Sequence, residues 1–396
     1  MMKKALTTII LAAISFAAAD ATVPYKFNVP DIPGYLTLTG DFHVHTVFSD
    51  CTTWPTTRVA EAYQDDLDML AITDHLDTRH RKMVKKGYFT ETCDQNTSFK
   101  LASDAGDKYG VRVLHGAEVT RGLRLFPGHF NTHFITDALP ITEALEAEDG
   151  QIADEREREE KAILNGLKAA RKQGAFITFN HPNWEPQQPV RTEWLPIHEQ
   201  VFKAGMMDGI EIVNHSVGYS PEGFHWAIER GLTVVSGTDC HKEMFELVDY
   251  AAGERRSRTL IFAKENTEES IKEALFEGRT LVYYDDCFYG PEAWMRPFFD
   301  SAIEVVSKKV SKSKISVTLR NTTSVPVYLA KDEGSENLCI PFVTKLSPGE
   351  QLTLSASPLN GGKEFGFKEC DFNLKVLNYF IDADKPLAVS WHFVIK

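Results

Sequence analysis

Between residues 38 and 285, short apolar runs rich in β-branched side chains alternate with stretches whose apolar positions recur at helical spacing. Thr37–Val44, Met69–Ile72, Val111–Glu118, Ala175–Phe179, Gly209–Val213 and Thr233–Ser236 read as strands. Thr57–Asp65, Asp154–Lys172 and Thr267–Glu277 read as helices, and the mixed acidic and basic run Glu146–Lys161 as an exposed helix face. Strands alternating with helices predict a parallel sheet or an α/β barrel, with the functional residues at the strand ends. After about residue 300 the pattern becomes period-two alternation, in Ala302–Val306, Lys314–Leu319, Val327–Ala330, Gln351–Ser355, Asn373–Phe380 and Ala388–Ile395. Turn signals at Ser347-Pro348-Gly349 and Asn360-Gly361-Gly362 separate these runs, which predicts a small antiparallel β-sandwich over 297–396, joined through a linker near Pro291–Arg296.

Length agrees with two units, because single cores stop growing near 250 to 300 residues and the chain has 396. A net charge of −13 lacks the basic clustering that nucleic acid or an anionic membrane would require. No apolar run reaches the roughly 18 residues of a membrane span. The first residues pair Lys3 and Lys4 with apolar Ala5–Phe16 and small Ala17, Ala18, Ala19 and Ala21, the make-up of a cleaved signal peptide over 1–21. That predicts a periplasmic or secreted protein whose first folded unit spans 22–290. In such a compartment the six cysteines (Cys51, Cys93, Cys240, Cys287, Cys339, Cys370) are free to bridge, and Cys339 with Cys370 is the first pair to examine.

The strand ends carry metal-ligand chemistry. His43-Val44-His45 closes the first strand, and residues two apart on an extended chain point to one side, so two imidazoles converge. Asp50 follows, Asp74-His75 ends the second strand, Glu118 the third and His181 the next, while Asp239 and His241 follow Thr233–Ser236. One such pair has ordinary structural explanations. Their recurrence at successive strand ends does not, and imidazole with carboxylate suits Zn, Mn or Fe.

The blocks Asp41-Phe42-His43-Val44-His45-Thr46 with Ser49-Asp50, Ile72-Thr73-Asp74-His75, Gly116-Ala117-Glu118, Asn180-His181-Pro182 and Gly237-Thr238-Asp239-Cys240-His241 resemble, in order and spacing, the PHP (polymerase and histidinol phosphatase) superfamily. Arg258-Thr259-Leu260 and Gly278-Arg279-Thr280 extend the likeness, which covers roughly residues 38 to 285. The resemblance implies a distorted (β/α)7 barrel with two or three divalent metal ions. Carried over, it gives His43, His45, Asp239 and Glu118 to a first ion. Glu118 bridges to a second ion held by His181 and one further histidine, and Asp50, His75 and His241 hold a third. Where Asp50 stands, other members use His. His129, Asn131 and His133 share one face of an extended strand, and the further histidine is His129 by preference, because its distance of 11 residues after Glu118 resembles that of relatives with a short hairpin, with His133 as the alternative.

That ligand set implies a metal-dependent hydrolase in which a hydroxide bridging two ions attacks a phosphoester of a small molecule, with Glu118, Asp239 and His241 in the catalytic roles. Arg79, Arg121 and Lys242 are weaker candidates for holding substrate, as are His80 and His215. Tyr63, Trp184 and Trp194 are candidates for a pocket wall, although buried core is the commoner use of such side chains. Because the chain shows no glycine-rich phosphate cradle, hydrolysis of a C–N or other non-phosphate bond is a second reading. A non-catalytic metal- or glycan-binding scaffold is a third.

Overall fold

The structure is a computed structural model that describes residues 26–76, 94–120, 128–146, 152, 154–185, 191–359 and 363–395. β1 (Leu36–Val44) pairs in parallel with β2 (Met69–Ile72), and β2 with β3 (Arg112–Thr120). β4 (His129–His133) runs antiparallel to β3 and to β5 (Phe176–Phe179). β5 then pairs in parallel with β6 (Gly209–Asn214), which also carries the short β7 (Gly218–Tyr219), and β6 pairs in parallel with β8 (Thr233–Gly237). A parallel bridge from Val44 to Cys240 brings the end of β8 back to β1. All side chains of β2, β5 and β6 are buried, the mark of strands covered on both faces.

Helices pack outside. Pro55–Gln64 buries Val59 and Ala62, and Glu155–Lys172 buries Ile163, Gly166, Leu167 and Ala170 at three- and four-residue spacing. Asp154 starts the latter helix by accepting from the Glu157 N–H. Helices also form at Thr97–Tyr109, Leu139–Glu146, Pro196–Lys203 and Pro221–Arg230, segments in which the sequence announces no element.

A purely parallel array is not what forms. The connection 121–128 is shorter than the dozen or so residues a crossover takes, so β4 must return antiparallel. On the other flank, β9 (Arg258–Ala263) runs antiparallel to β1, and β10 (Thr280–Tyr284) antiparallel to β9. β11 (Cys287–Tyr289) forms a hairpin with β10.

The expected linker near Pro291–Arg296 is instead the start of a helix, Glu292–Ala302, with Pro291 at its N-cap and Met295, Phe298 and Phe299 buried. β12 (Ile303–Ser311), β13 (Lys314–Asn321), β14 (Val327–Lys331), β15 (Leu338–Cys339), β16 (Val343–Leu346), β17 (Gln351–Pro358), β18 (Glu369–Asp382) and β19 (Lys385–Val394) follow. One sheet has the order β12-β13-β17-β15. The other carries β16, β14, β18 and β19 and continues into the barrel's sheet, where Phe288 and Tyr289 of β11 pair in parallel with Tyr379 and Phe380 of β18. The chain is therefore an α/β barrel followed by an antiparallel β-sandwich. One apolar core joins Leu260, Phe262 and Phe288 of the barrel to Phe298 and to Val317, Leu329, Phe372 and Tyr379 of the sandwich. Cys339 and Cys370 are both free, and they lie on opposite sheets, β15 in one and β18 in the other.

Candidate metal centre

The ends of β1, β2, β3, β5 and β8 and the start of β4 deliver their polar side chains to one place. The Nε2 atoms of His43 and His45 lie 3.1 Å apart. Asp239 Oδ1 is 3.3 Å from the first and 3.0 Å from the second. Glu118, fully buried, stands at the middle of the group. Its Oε2 lies 2.7 Å from His75 Nδ1, 3.5 Å from His45 Nε2 and 3.6 Å from His43 Nε2. Its Oε1 lies 2.9 Å from His129 Nδ1 and 3.6 Å from His181 Nε2. Asp50 Oδ1 reaches to 3.2 Å from His241 Nε2 and 3.6 Å from His75 Nε2. Among the described residues three groups arise whose donor atoms all fall within 4.8 Å of one another: His43–His45–Glu118, Glu118–His129–His181 and His45–Asp50–His75–His241.

Imidazole nitrogens and carboxylate oxygens fit divalent ions of the Zn, Mn or Fe type, and one atom tests that fit. Glu118 Oε2 is buried among imidazoles, and although His75 Nδ1 lies 2.7 Å away the two are not in hydrogen-bonding geometry, so a cation at this oxygen would supply the partner that a buried carboxylate requires. Without ions the cluster shares protons internally. Burial works against ionisation of Glu118, but His75, His129 and His43 outweigh it and hold the carboxyl well below its usual range. Burial likewise opposes a charged His241, yet the hydrogen bond to Asp50 and the nearby Asp239 push it up to about 9.

The backbone is bent to deliver two of these groups. His181 and Asp239 have φ of 31° and 51°, in the left-handed region that side chains avoid, and such strain concentrates at functional sites. Buried polar groups hold it in place. Asp41 accepts from the backbone N–H groups of His43 (3.1 Å) and Thr238 (3.0 Å) and is itself paired with buried Arg256 at 2.7 Å. Arg58 donates to the carbonyls of His45, Cys240 and Lys242 at 2.9, 2.7 and 2.6 Å, tying the two ligand loops to one helix. Asp74 accepts from the Thr46 N–H and the Ser49 hydroxyl, both at 2.7 Å, which sets the turn that aims Asp50.

Several of these groups escape the sequence reading. Asn180 Nδ2 donates to Glu118 Oε1 at 3.1 Å, Thr120 Oγ1 lies 2.9 Å from His75 Nδ1, and Glu211 reaches His43 from β6. The signal for Glu211 is present in Gly209-Ile210-Glu211-Ile212-Val213, a lone carboxylate in an apolar strand. Of the two histidines weighed on β4, His129 joins the cluster. His133 faces the barrel interior between Phe42 and Phe176, with neither ring nitrogen bonded, and burial holds it down at about 3. Lys242 is exposed at the cavity rim and pairs with Glu246 at 3.3 Å. His215 is half-buried, takes the Ser257 N–H at 3.2 Å and lies outside the cavity lining. Arg79, His80 and Arg121 lie outside the described residues. Trp184 lines the cavity beside His129 and His181, whereas Trp194 meets Trp226 edge-to-face beneath the Arg230 guanidinium and Tyr63 sits on the surface beside Tyr109. The cluster forms the floor of an open cavity of about 890 Å3.

One solved structure resembles the chain over almost its whole length. A two-domain protein of Bacteroides vulgatus containing a predicted PHP-like metal-dependent phosphoesterase superposes with a TM-score of 0.81, at 33% identity, covering 94% of this chain and 99% of its own. A proposed metal-dependent phosphoesterase of Bifidobacterium adolescentis (19% identity, TM-score 0.34) and an amidohydrolase of Chromobacterium violaceum (18%, 0.34) each match 51% of this chain and 87% of theirs. A family model described as an Ig-like domain matches residues 302–392. No curated protein matches.

Proposed function

Since the chain belongs to the PHP-like family of metal-dependent hydrolases, we propose that it hydrolyses a phosphoester of a small molecule, with two or three divalent ions held by the cluster around Glu118. The observation that carries this reading is the position of Glu118 between two ligand groups, one oxygen toward each, at the floor of a solvent-open cavity. His43, His45 and Asp239 would share one ion with Glu118, His129 and His181 a second, and Asp50, His75 and His241 a third. Bound there, divalent ions supply Lewis acidity, making water nucleophilic near neutral pH and neutralising charge that develops on oxygen in the transition state.

The chain's own residues do the rest. Arg58 and Asp41 keep the ligand loops in register, so the donor set is preorganised and does not rearrange during the reaction. His241, on the open side, keeps its Nε2 beside Asp50 for the third ion, while its Nδ1 lies 2.8 Å from the Asp239 carbonyl oxygen and is fixed by it. Lys242 and Trp184 give the organic part of a substrate a charged and a flat contact. A cavity of about 890 Å3 leaves room for a leaving group much larger than the phosphoryl group itself.

Elemental analysis of the purified protein, with a screen of phosphomonoesters and phosphodiesters after loading with Zn, Mn or Fe, tests the proposal. Two or three ions per chain and turnover abolished in Glu118→Ala are expected. Bound ions without phosphatase turnover would move the reaction to another hydrolysis, and a protein that takes up no metal would overturn the assignment. The amino-terminal run also supports export with cleavage near residue 21. N-terminal sequencing of the mature protein checks that.

A further inference from the structure

Glu211 does not line the cavity above the cluster, yet it contacts two residues from different groups of that cluster. We propose that it is a positioning residue that makes the ligand sets around His43 and His181 assemble as a single unit, a role that rests on the metal-centre reading above. Its side chain is buried on β6, where a carboxylate persists only if donors surround it. Oε1 lies 3.0 Å from His43 Nδ1. Oε2 accepts the backbone N–H of His181 at 2.8 Å and the Asn214 amide at 3.2 Å. Asn214 donates in turn to Asp239 Oδ2 at 3.1 Å.

A carboxylate only accepts, so its contact with His43 keeps the hydrogen on Nδ1 and leaves the Nε2 lone pair facing His45 and Asp239. The second oxygen supports the backbone of His181 at its left-handed φ of 31°. One side chain thus sets the ring state of a ligand on β1 and the backbone of a ligand after β5. Gly237 makes the first contact physically possible. A Cβ at that position would lie 2.1 Å from His43 Cβ and 2.4 Å from Glu211 Oε1.

Glu211→Gln keeps the shape but replaces one acceptor oxygen with a donor amide, so either His43 or the His181 and Asn214 donors lose their partner whichever way the amide turns. The test strips wild type and Glu211→Gln of metal, records their thermal unfolding, then titrates each with Zn against a chromophoric chelator and measures ions per chain. The expected result is a metal-free variant that still unfolds cooperatively but binds two ions at once more weakly, by about 10- to 100-fold. Wild-type affinity in the variant overturns the proposal, and so does weakening of one ion alone. A wild type that binds no metal overturns the metal-centre reading first, and is thereby distinguished. Should the variant not fold, the long-range 1H–15N spectrum of the wild-type protein decides. A His43 protonated at Nδ1 supports the role, and one protonated at Nε2 overturns it.

Discussion

At the scale of the residue, the cluster depends on which atoms lack a partner. His129 and His133 sit on one face of β4 at spacing of four, so the sequence shows both as candidates and cannot rank them by geometry alone. The structure separates them, because β4 starts at the cluster and runs away from it, carrying His133 down into the apolar interior. His129→Ala is expected to lower the metal content by about one ion per chain, measured by elemental analysis. His133→Phe is expected to keep all ions and to leave stability unchanged or raised by about 1 kcal/mol in urea unfolding, since it removes two unbonded buried nitrogens. The convergence of these histidines and carboxylates was legible because strand periodicity places them. Glu211 and Asn180 were not read out, because a polar residue that serves another residue has no spacing of its own.

His241 gives the residue scale its pH dependence. In the metal-free protein its pKa is raised to about 9, so its contribution to stability is complete below the unfolded value near 6.5 and disappears as pH climbs through about 9. The thermal midpoint of the metal-free protein should therefore fall across that window, and a midpoint that rises there would contradict the assignment. Metal uptake displaces the same proton. Apparent affinity should rise over this interval, and calorimetry in two buffers of different ionisation enthalpy would show the released proton.

Elements carry the next layer. Helix Pro55–Gln64 was readable from its apolar spacing, but its most consequential side chain, Arg58, looks in the sequence like one more solvated charge. In the fold that guanidinium is buried against Glu61, the Cys51 sulfur and the carbonyls of both ligand loops. Arg58→Met should cost about 3 kcal/mol in denaturant unfolding by stranding those acceptors, and should weaken metal retention in proportion more than changes at exposed arginines such as Arg156. Antiparallel β9 and β10 were hidden for a different reason. Periodicity tells a strand from a helix, whereas direction is fixed by connection length and by what lies alongside.

For the whole molecule, the change of pattern near residue 300 was visible, but the sharing of one core across it was not, since alternation says that a face is buried without saying by what. The rim of the sandwich also presses on the barrel near the cavity. Tyr219, beside lining residues Ser216 and Val217, donates from its hydroxyl to the Ala383 carbonyl at 3.0 Å and stacks on Tyr289. Of the sandwich aromatics Tyr328, Phe342, Tyr379 and Trp391, Tyr379 is buried, Trp391 and Tyr328 are half-buried and Phe342 is exposed, so these four form no exposed row. Full-length protein is expected to unfold in one calorimetric transition, and a chain cut after residue 302 to be insoluble or uncooperative. A soluble, metal-binding truncated barrel would show that the sandwich is dispensable.

The same shared core has a consequence for the order of events during folding. Phe27 and Ile32, near the start of the described chain, pack in the cluster that holds Phe372, Tyr379 and Phe393 near its end, and the Asn28 N–H is bonded to the Ser324 hydroxyl. Contacts so far apart in sequence close late, after the loop between them has been ordered. The barrel's sheet therefore gains β18 as a neighbour through contacts distant in sequence from β1. Pairing of β18 with β11 is therefore expected among the last steps of folding, and pulse-labelled hydrogen exchange at Tyr379 and Phe380 would check it by late protection.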